Sequence, residues 1–123
     1  MPENRKWQVE FYEKENGRCP TREFLDGLPK QDRVFIENGF NRLEIYGTAL
    51  NRPHAGYLRN HIHELRVQTK GVHYRFLYFF FQDTIVVVTH GIVKKTRNVP
   101  DDEIVKAIEY RNRYYMRQEQ KEK

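Results

Sequence analysis

The sequence predicts an α+β domain: a small antiparallel sheet flanked by helices, in the order β-α-α-β-β-β-α. A short segment near the N-terminus alternates apolar and polar residues, as a half-buried strand does. Residues 62–90 hold three runs rich in β-branched and aromatic side chains, separated by links short enough for hairpins. Between and after these lie segments with helical periodicity. A chain of 123 residues is the size of one domain with a real core, so residues 1–123 are read as a single unit.

The first strand is Trp7-Gln8-Val9-Glu10-Phe11-Tyr12. Cys19-Pro20-Thr21-Arg22-Glu23-Phe24 opens a helix for which Thr21 is a plausible N-cap, with Phe24 and Leu25 starting an apolar stripe. A second helix spans about residues 30–46, its apolar positions being Val34, Phe35, Ile36, Phe40, Leu43 and Ile45. Gly39 costs that helix roughly 1 kcal/mol against alanine, and Gly47 is placed to end it. Residues 48–60, polar and holding Pro53 and Gly56, read as loop.

The strand at 62–68 sets Leu65 and Val67 on one face and Glu64 and Arg66 on the other. The next, 72–81, is apolar on both faces except for His73 and Arg75, as expected of a strand covered twice. A third runs over 84–90. Pro100-Asp101-Asp102-Glu103 places acids at the positive end of a last helix reaching about Gln118, and the polar tail 118–123 is expected to fray.

Composition narrows the functional classes. The single cysteine, Cys19, forms no internal disulfide, no apolar run follows the N-terminus, and no stretch is long enough to span a bilayer. An intracellular, cytoplasmic protein is expected. Residues 48–97 carry eight Lys/Arg against two acids, a balance of +6 in a chain of net charge +5, together with all five histidines. Clustered cations of this kind are rewarded on meeting a polyanion by counter-ion release.

The candidate chemistry lies within that stretch. An unpaired Arg75 on an apolar strand would be costly, so it needs an acid such as Glu64 or Asp83, or a bound anion. In a hairpin closed by Lys70-Gly71, Arg66 would face Arg75, and two like charges side by side call for an anion between them. A guanidinium forks onto two phosphate oxygens, which makes a phosphate clamp the functional reading. Lys94 and Lys95 leave the last strand on opposite sides, with Arg97 beyond them and Lys70 at the turn as rim charges. His73 and His90 are candidates for proton transfer. His61 and His63 find no cysteine pair or acid to complete a metal set, so no metal site is assigned. Several tyrosines offer stacking surfaces, and since Tyr114 and Tyr115 cannot both face the core, one is expected to be exposed. Arg111, Arg113 and Arg117 on the last helix are cations that a solvated face or an acidic partner would suit.

The succession Phe24-Leu25-Asp26-Gly27-Leu28-Pro29, Glu64-Leu65-Arg66, Tyr74-Arg75-Phe76-Leu77-Tyr78 and His90-Gly91-Ile92-Val93-Lys94-Lys95-Thr96, then Pro100 and a helix, resembles the HigB-like, phage-associated branch of the RelE/ParE toxin superfamily. The resemblance covers roughly residues 7–115. It implies a RelE-like fold and a metal-independent endoribonuclease without cofactor, cutting mRNA on the ribosome by attack of a 2′-OH on the adjacent phosphate. It implies a cognate helix-turn-helix antitoxin as partner. By position, Arg66 would orient the phosphate, Arg75 would stabilise the phosphorane, and Lys95, with Lys94 beside it, would hold phosphate or assist the leaving 5′ oxygen. One departure concerns the proton carrier that RelE-type enzymes often place just beyond the last strand. Asn98-Val99-Pro100-Asp101-Asp102 contains no tyrosine or histidine, which leaves His90, His73, a late tyrosine such as Tyr114, or ribosomal RNA. The alternative is a protein that binds without cutting: a ParE-like gyrase inhibitor, or a nucleic-acid- or antitoxin-binding module.

Overall fold

The α+β order is present, with one strand more than expected. The computed structural model describes residues 6–122. The chain runs β1 (Gln8–Phe11), α1 (Pro20–Asp26), α2 (Lys30–Tyr46), a 3-10 turn (Gly47–Ala49), β2 (Ala55–Arg59), β3 (Ile62–Thr69), β4 (Val72–Phe81), β5 (Ile85–Val93) and α3 (Asp101–Glu122). Among the described residues no helix is long and apolar enough to cross a membrane.

The strands form one sheet in the order β1-β5-β4-β3-β2. Strands β2 to β5 are antiparallel neighbours, whereas β1 pairs parallel with β5, so the sheet is mostly and not wholly antiparallel. Hairpins dictate the direction of β2 to β5. No tight turn ties β1 to β5: helices α1 and α2 and strands β2 to β4 lie between them in the chain, which leaves β1 free to enter the sheet parallel.

Strand β2 lies inside the stretch read as loop. Its hairpin to β3 turns on Asn60 and His61, at φ 51° and 65°. The Lys70-Gly71 turn between β3 and β4 likewise has both residues at positive φ, 52° and 80°, the geometry that matches strand twist in a two-residue hairpin.

Alternation along the strands divides two cores. Leu65, Val67, Tyr74, Phe76, Tyr78, Val86 and Val88 pack under α1 and α2, with Leu25, Ile36, Phe40 and Leu43. Ile62, Leu77, Phe79 and Val87 pack under α3, with Ile104, Ala107 and Tyr114. A bulge in β5 pairs Tyr78 with Val88 but Leu77 with His90. It changes which residues face α3, from Val87 before it to Ile92 after it.

Four local readings are corrected. Helix α1 begins at Pro20, whose fixed φ suits the first turn, so Thr21 lies inside the helix, buried, and is not its cap. The buried stripe of α2 is Asp32, Ile36, Gly39, Phe40 and Leu43, which leaves Val34 and Phe35 about half exposed. Gly39 earns its place there, because a Cβ would stand 3.1 Å from both Leu65 and Val67 and hold the helix off the sheet. Helix α3 continues past Gln118 to Glu122. Tyr114 is buried and Tyr115 is partly buried, both against Phe79 and Phe81, so neither is exposed.

Candidate functional site

The Lys70-Gly71 turn puts Arg66 directly opposite Arg75 on the α3 side of the sheet. Facing like charges repel, and the group that resolves the conflict belongs to the protein. Glu64, two residues before Arg66 and therefore on the same face, accepts at Oε2 from Arg66 Nε at 3.0 Å and Nη2 at 2.9 Å. Its other oxygen, Oε1, accepts from Arg75 Nε at 3.1 Å. Arg75 Nη1 also donates to the Tyr74 carbonyl at 3.1 Å.

Side-chain exposure is 8% for Glu64 and 9% for Arg75 but 30% for Arg66, so Arg66 is the member that meets solvent. Burial pushes Arg75 below the ordinary guanidinium value, the Glu64 charge opposes the shift, and the Arg66 charge adds to it. A guanidinium has five N–H donors, so the contacts to Glu64 leave further donors for a ligand anion.

Strand β2 makes room for this cluster. Gly56 pairs with Glu64 across the ladder, and a Cβ on it would lie 2.9 Å from Arg66 Nη2 and 3.3 Å from Glu64 Oε2. A cavity of about 370 Å³ opens there, walled by Glu64, Arg66 and Arg75, by Lys94 and Arg97 from the segment after β5, and by Ile104 of α3. Lys94 is positioned by its backbone, whose N–H donates to the His73 carbonyl at 2.7 Å and extends the ladder beyond β5. Among the described residues, no acid pairs with Lys94 or Arg97.

A second cavity, of about 470 Å³, shares Arg66 and Arg75 as walls and adds His54, His73 and Arg42. The structure thus brings together Arg66, Arg75, Lys94, Arg97 and His73. Lys95 is exposed and lies outside both cavities, and Lys70 hydrogen-bonds Gln31 away from them.

The remaining candidates are tied into the fold. His90 is buried, with Nε2 3.0 Å from Glu103 and Nδ1 2.9 Å from Thr89 Oγ1. Burial lowers its pKa more than Glu103 raises it, so near neutrality the ring is a neutral link between β5 and α3. Tyr114 donates to Glu10 at 3.0 Å and lines neither arginine cavity. The cations of α3 are held by the protein: Arg111 by the Asn60 carbonyl, Arg113 by Glu15, Arg117 by the Glu13 carbonyl.

Glu64 is the central group that sequence reasoning treated only as a possible partner for Arg75. The signal was its spacing, since residues two apart on a strand share a face. The contribution of Gly56 had no such signal, because β2 itself was read as loop. The cluster is a pair of guanidiniums held around one carboxylate in the wall of a cavity that Lys94 and Arg97 also line, an excess of positive charge with one carboxylate inside it.

No curated protein matches the chain. The family description "Phage derived protein Gp49-like (DUF891)" matches residues 23–112, a span that contains the whole arginine cluster and most of α3. The chain therefore belongs to the phage-derived Gp49-like family, a RelE/HigB-like toxin family.

Proposed function

We propose that this protein is a toxin that cleaves mRNA on the ribosome, in the cytoplasm, by metal-independent attack of a ribose 2′-OH on the adjacent phosphate. The observation that carries the reading is the Arg66–Glu64–Arg75 cluster at the floor of a cavity whose rim holds Lys94 and Arg97. Membership of a RelE/HigB-like toxin family supports it.

In this reading Arg66 and Arg75 meet the non-bridging oxygens of the scissile phosphate and stabilise the charge that develops on it. Fixed donors of this kind are each worth about 10²–10³ in rate. Glu64 is the one carboxylate walling the smaller cavity, and it takes the 2′-OH proton. As the P–O5′ bond breaks to leave a cyclic phosphate, the Lys94 ammonium in the cavity wall gives a proton to the departing 5′ oxygen, which leaves as a hydroxyl, while exposed Lys95 and Arg97 meet neighbouring phosphates. His73, which lines the adjoining cavity with the arginine pair, is a further proton acceptor. A helix-turn-helix antitoxin is the proposed partner.

The closed Glu64–Arg75 pair also favours a second reading, in which the arginines are structural and the protein binds without cutting. Mapping of 5′ ends on translated message separates the two. Wild type should give discrete cuts within codons, Arg66→Ala and Glu64→Gln should lose about 10²-fold or more of that rate, and His73→Gln should lose less. Intact message with wild-type protein, together with inhibited gyrase or unimpaired growth, would overturn the cleavage reading.

A further inference from the structure

The larger cavity is chemically unlike a mere extension of the catalytic one. At about 470 Å³ it falls within the size range of small-ligand sites, about 300–1,000 Å³. One wall is Phe35, an aromatic ring that α2 leaves 49% exposed because its core stripe runs through Ile36, Gly39 and Phe40. Beside it lie two carboxamides, Asn38 one helical turn along α2 and Gln68 on β3, each with paired donors and an acceptor. Arg42 joins Arg66 and Arg75 as cations, and no carboxylate lines the cavity. An aromatic face, two amides and excess positive charge are what a nucleotide needs: a surface for its base, hydrogen bonds for the base edge, and counter-charge for its phosphate.

We infer that this cavity is a nucleotide subsite for single-stranded RNA, with Phe35 as the base platform, Asn38 and Gln68 as readers of the base edge, and Arg42 as a phosphate contact. Continuity gives its place in the substrate. Arg66 and Arg75 wall both cavities, so a strand whose scissile phosphate sits on them lays its neighbouring nucleotide into the Phe35 side. The inference rests on the proposed phosphate site at Arg66 and Arg75, and it adds the residues that discriminate one base from another.

Titration with short, non-cleavable 2′-O-methyl RNA oligomers of A, C, G or U tests it apart from cleavage. Phe35 is half exposed, so its variants should keep the fold, which circular dichroism checks. Phe35→Trp should show fluorescence quenched by the oligomers, while wild type, whose only tryptophan is Trp7, shows none. Phe35→Ala should bind on the order of ten-fold more weakly, since a base stacked on an aromatic ring contributes about 1–3 kcal/mol. Phe35→Tyr should retain affinity, and Asn38→Ala and Gln68→Ala should change the ranking of the four oligomers. Arg42→Gln should reduce the salt slope by about 0.7.

Unchanged affinity in Phe35→Ala with an unquenched Trp at that position, while Arg66→Ala still weakens binding, overturns the subsite and leaves the phosphate site standing. Wild-type affinity in Arg66→Ala overturns both. Quenching by an acidic peptide but by none of the RNA oligomers would also overturn the subsite.

Discussion

One face of β4 changes character halfway along. Phe79 and Phe81 lie under α3, their rings 5.1–5.7 Å from those of Tyr114 and Tyr115. Arg75, on the same face four residues before Phe79, is 7% exposed against 0% for Phe79, yet it carries a charge. The two halves share a strand, a face and a degree of burial, and they differ in what covers them. Where α3 lies over the sheet, apolar area leaves water and stabilises the fold. Near the N-terminal end of α3 the sheet opens into a cavity walled in part by Ile104, and the buried groups there, Glu64 and Arg75, are ions. A buried ion pair is often no more stabilising than an apolar replacement of the same volume. Stability alone is therefore a weak account of the charged half, and in the proposed function its role is to meet a phosphate.

The largest effect should come from the apolar half. Phe79→Ala should cost about 3–5 kcal/mol of unfolding free energy by urea titration, because the α3 core cannot collapse into the lost volume. Glu64→Ala should cost a comparable amount, about 3–5 kcal/mol, by leaving two guanidiniums without their shared counter-ion. The comparison sharpens on adding sulfate or phosphate: the anion should recover much of the Glu64→Ala loss and far less of the Phe79→Ala loss. Equal recovery in both variants would remove the distinction between the halves.

Acidification gives a smaller effect. Burial lowers the pKa of both His90 and His63 below the ordinary 6.5, with the His61 charge adding to the shift at His63. The unfolded chain then binds protons that the folded one refuses, so this stability is complete above about pH 6.5 and is lost as pH falls toward the folded-state values. Thermal midpoints should fall between about pH 7 and about pH 5, and less in His90→Gln; a midpoint that rose on acidification would reverse the assignment. The smallest effect is expected at Arg59→Ala. Its bridge to Asp101 joins side chains 41% and 76% exposed, and its loss should cost no more than about 1 kcal/mol.

Legibility in the sequence followed the range of the interactions. The bounds of helix α2 and strand β4 were readable, because periodicity and flanking glycines are local, whereas the buried face of α2 was only partly so. The facing of Arg66 and Arg75 was readable too, since a two-residue turn at Lys70-Gly71 leaves one register. Strand β2 was not, because Ala55-Gly56-Tyr57-Leu58-Arg59 lacks a strong strand signature and is ordered by pairing with β3. Which of Lys94 and Lys95 joins the cavity was not legible: Lys94 lines it and Lys95 is exposed outside it. His90 looked available for proton transfer only because its partner Glu103 is thirteen residues away on another element.

The sequence by itself determined the α+β class, the placing of cations on apolar strands, and the need of Arg75 for a negative partner, since each follows from local periodicity or the cost of burying charge. Only the tertiary structure decided that this partner is Glu64 shared with Arg66, that β1 runs parallel to β5, and that a β5 bulge and α3 bury His90. It also decided that Phe35 lines one cavity with the arginine pair. These outcomes depend on which distant elements pack together, and distance in space between such elements is not written in the local pattern of either.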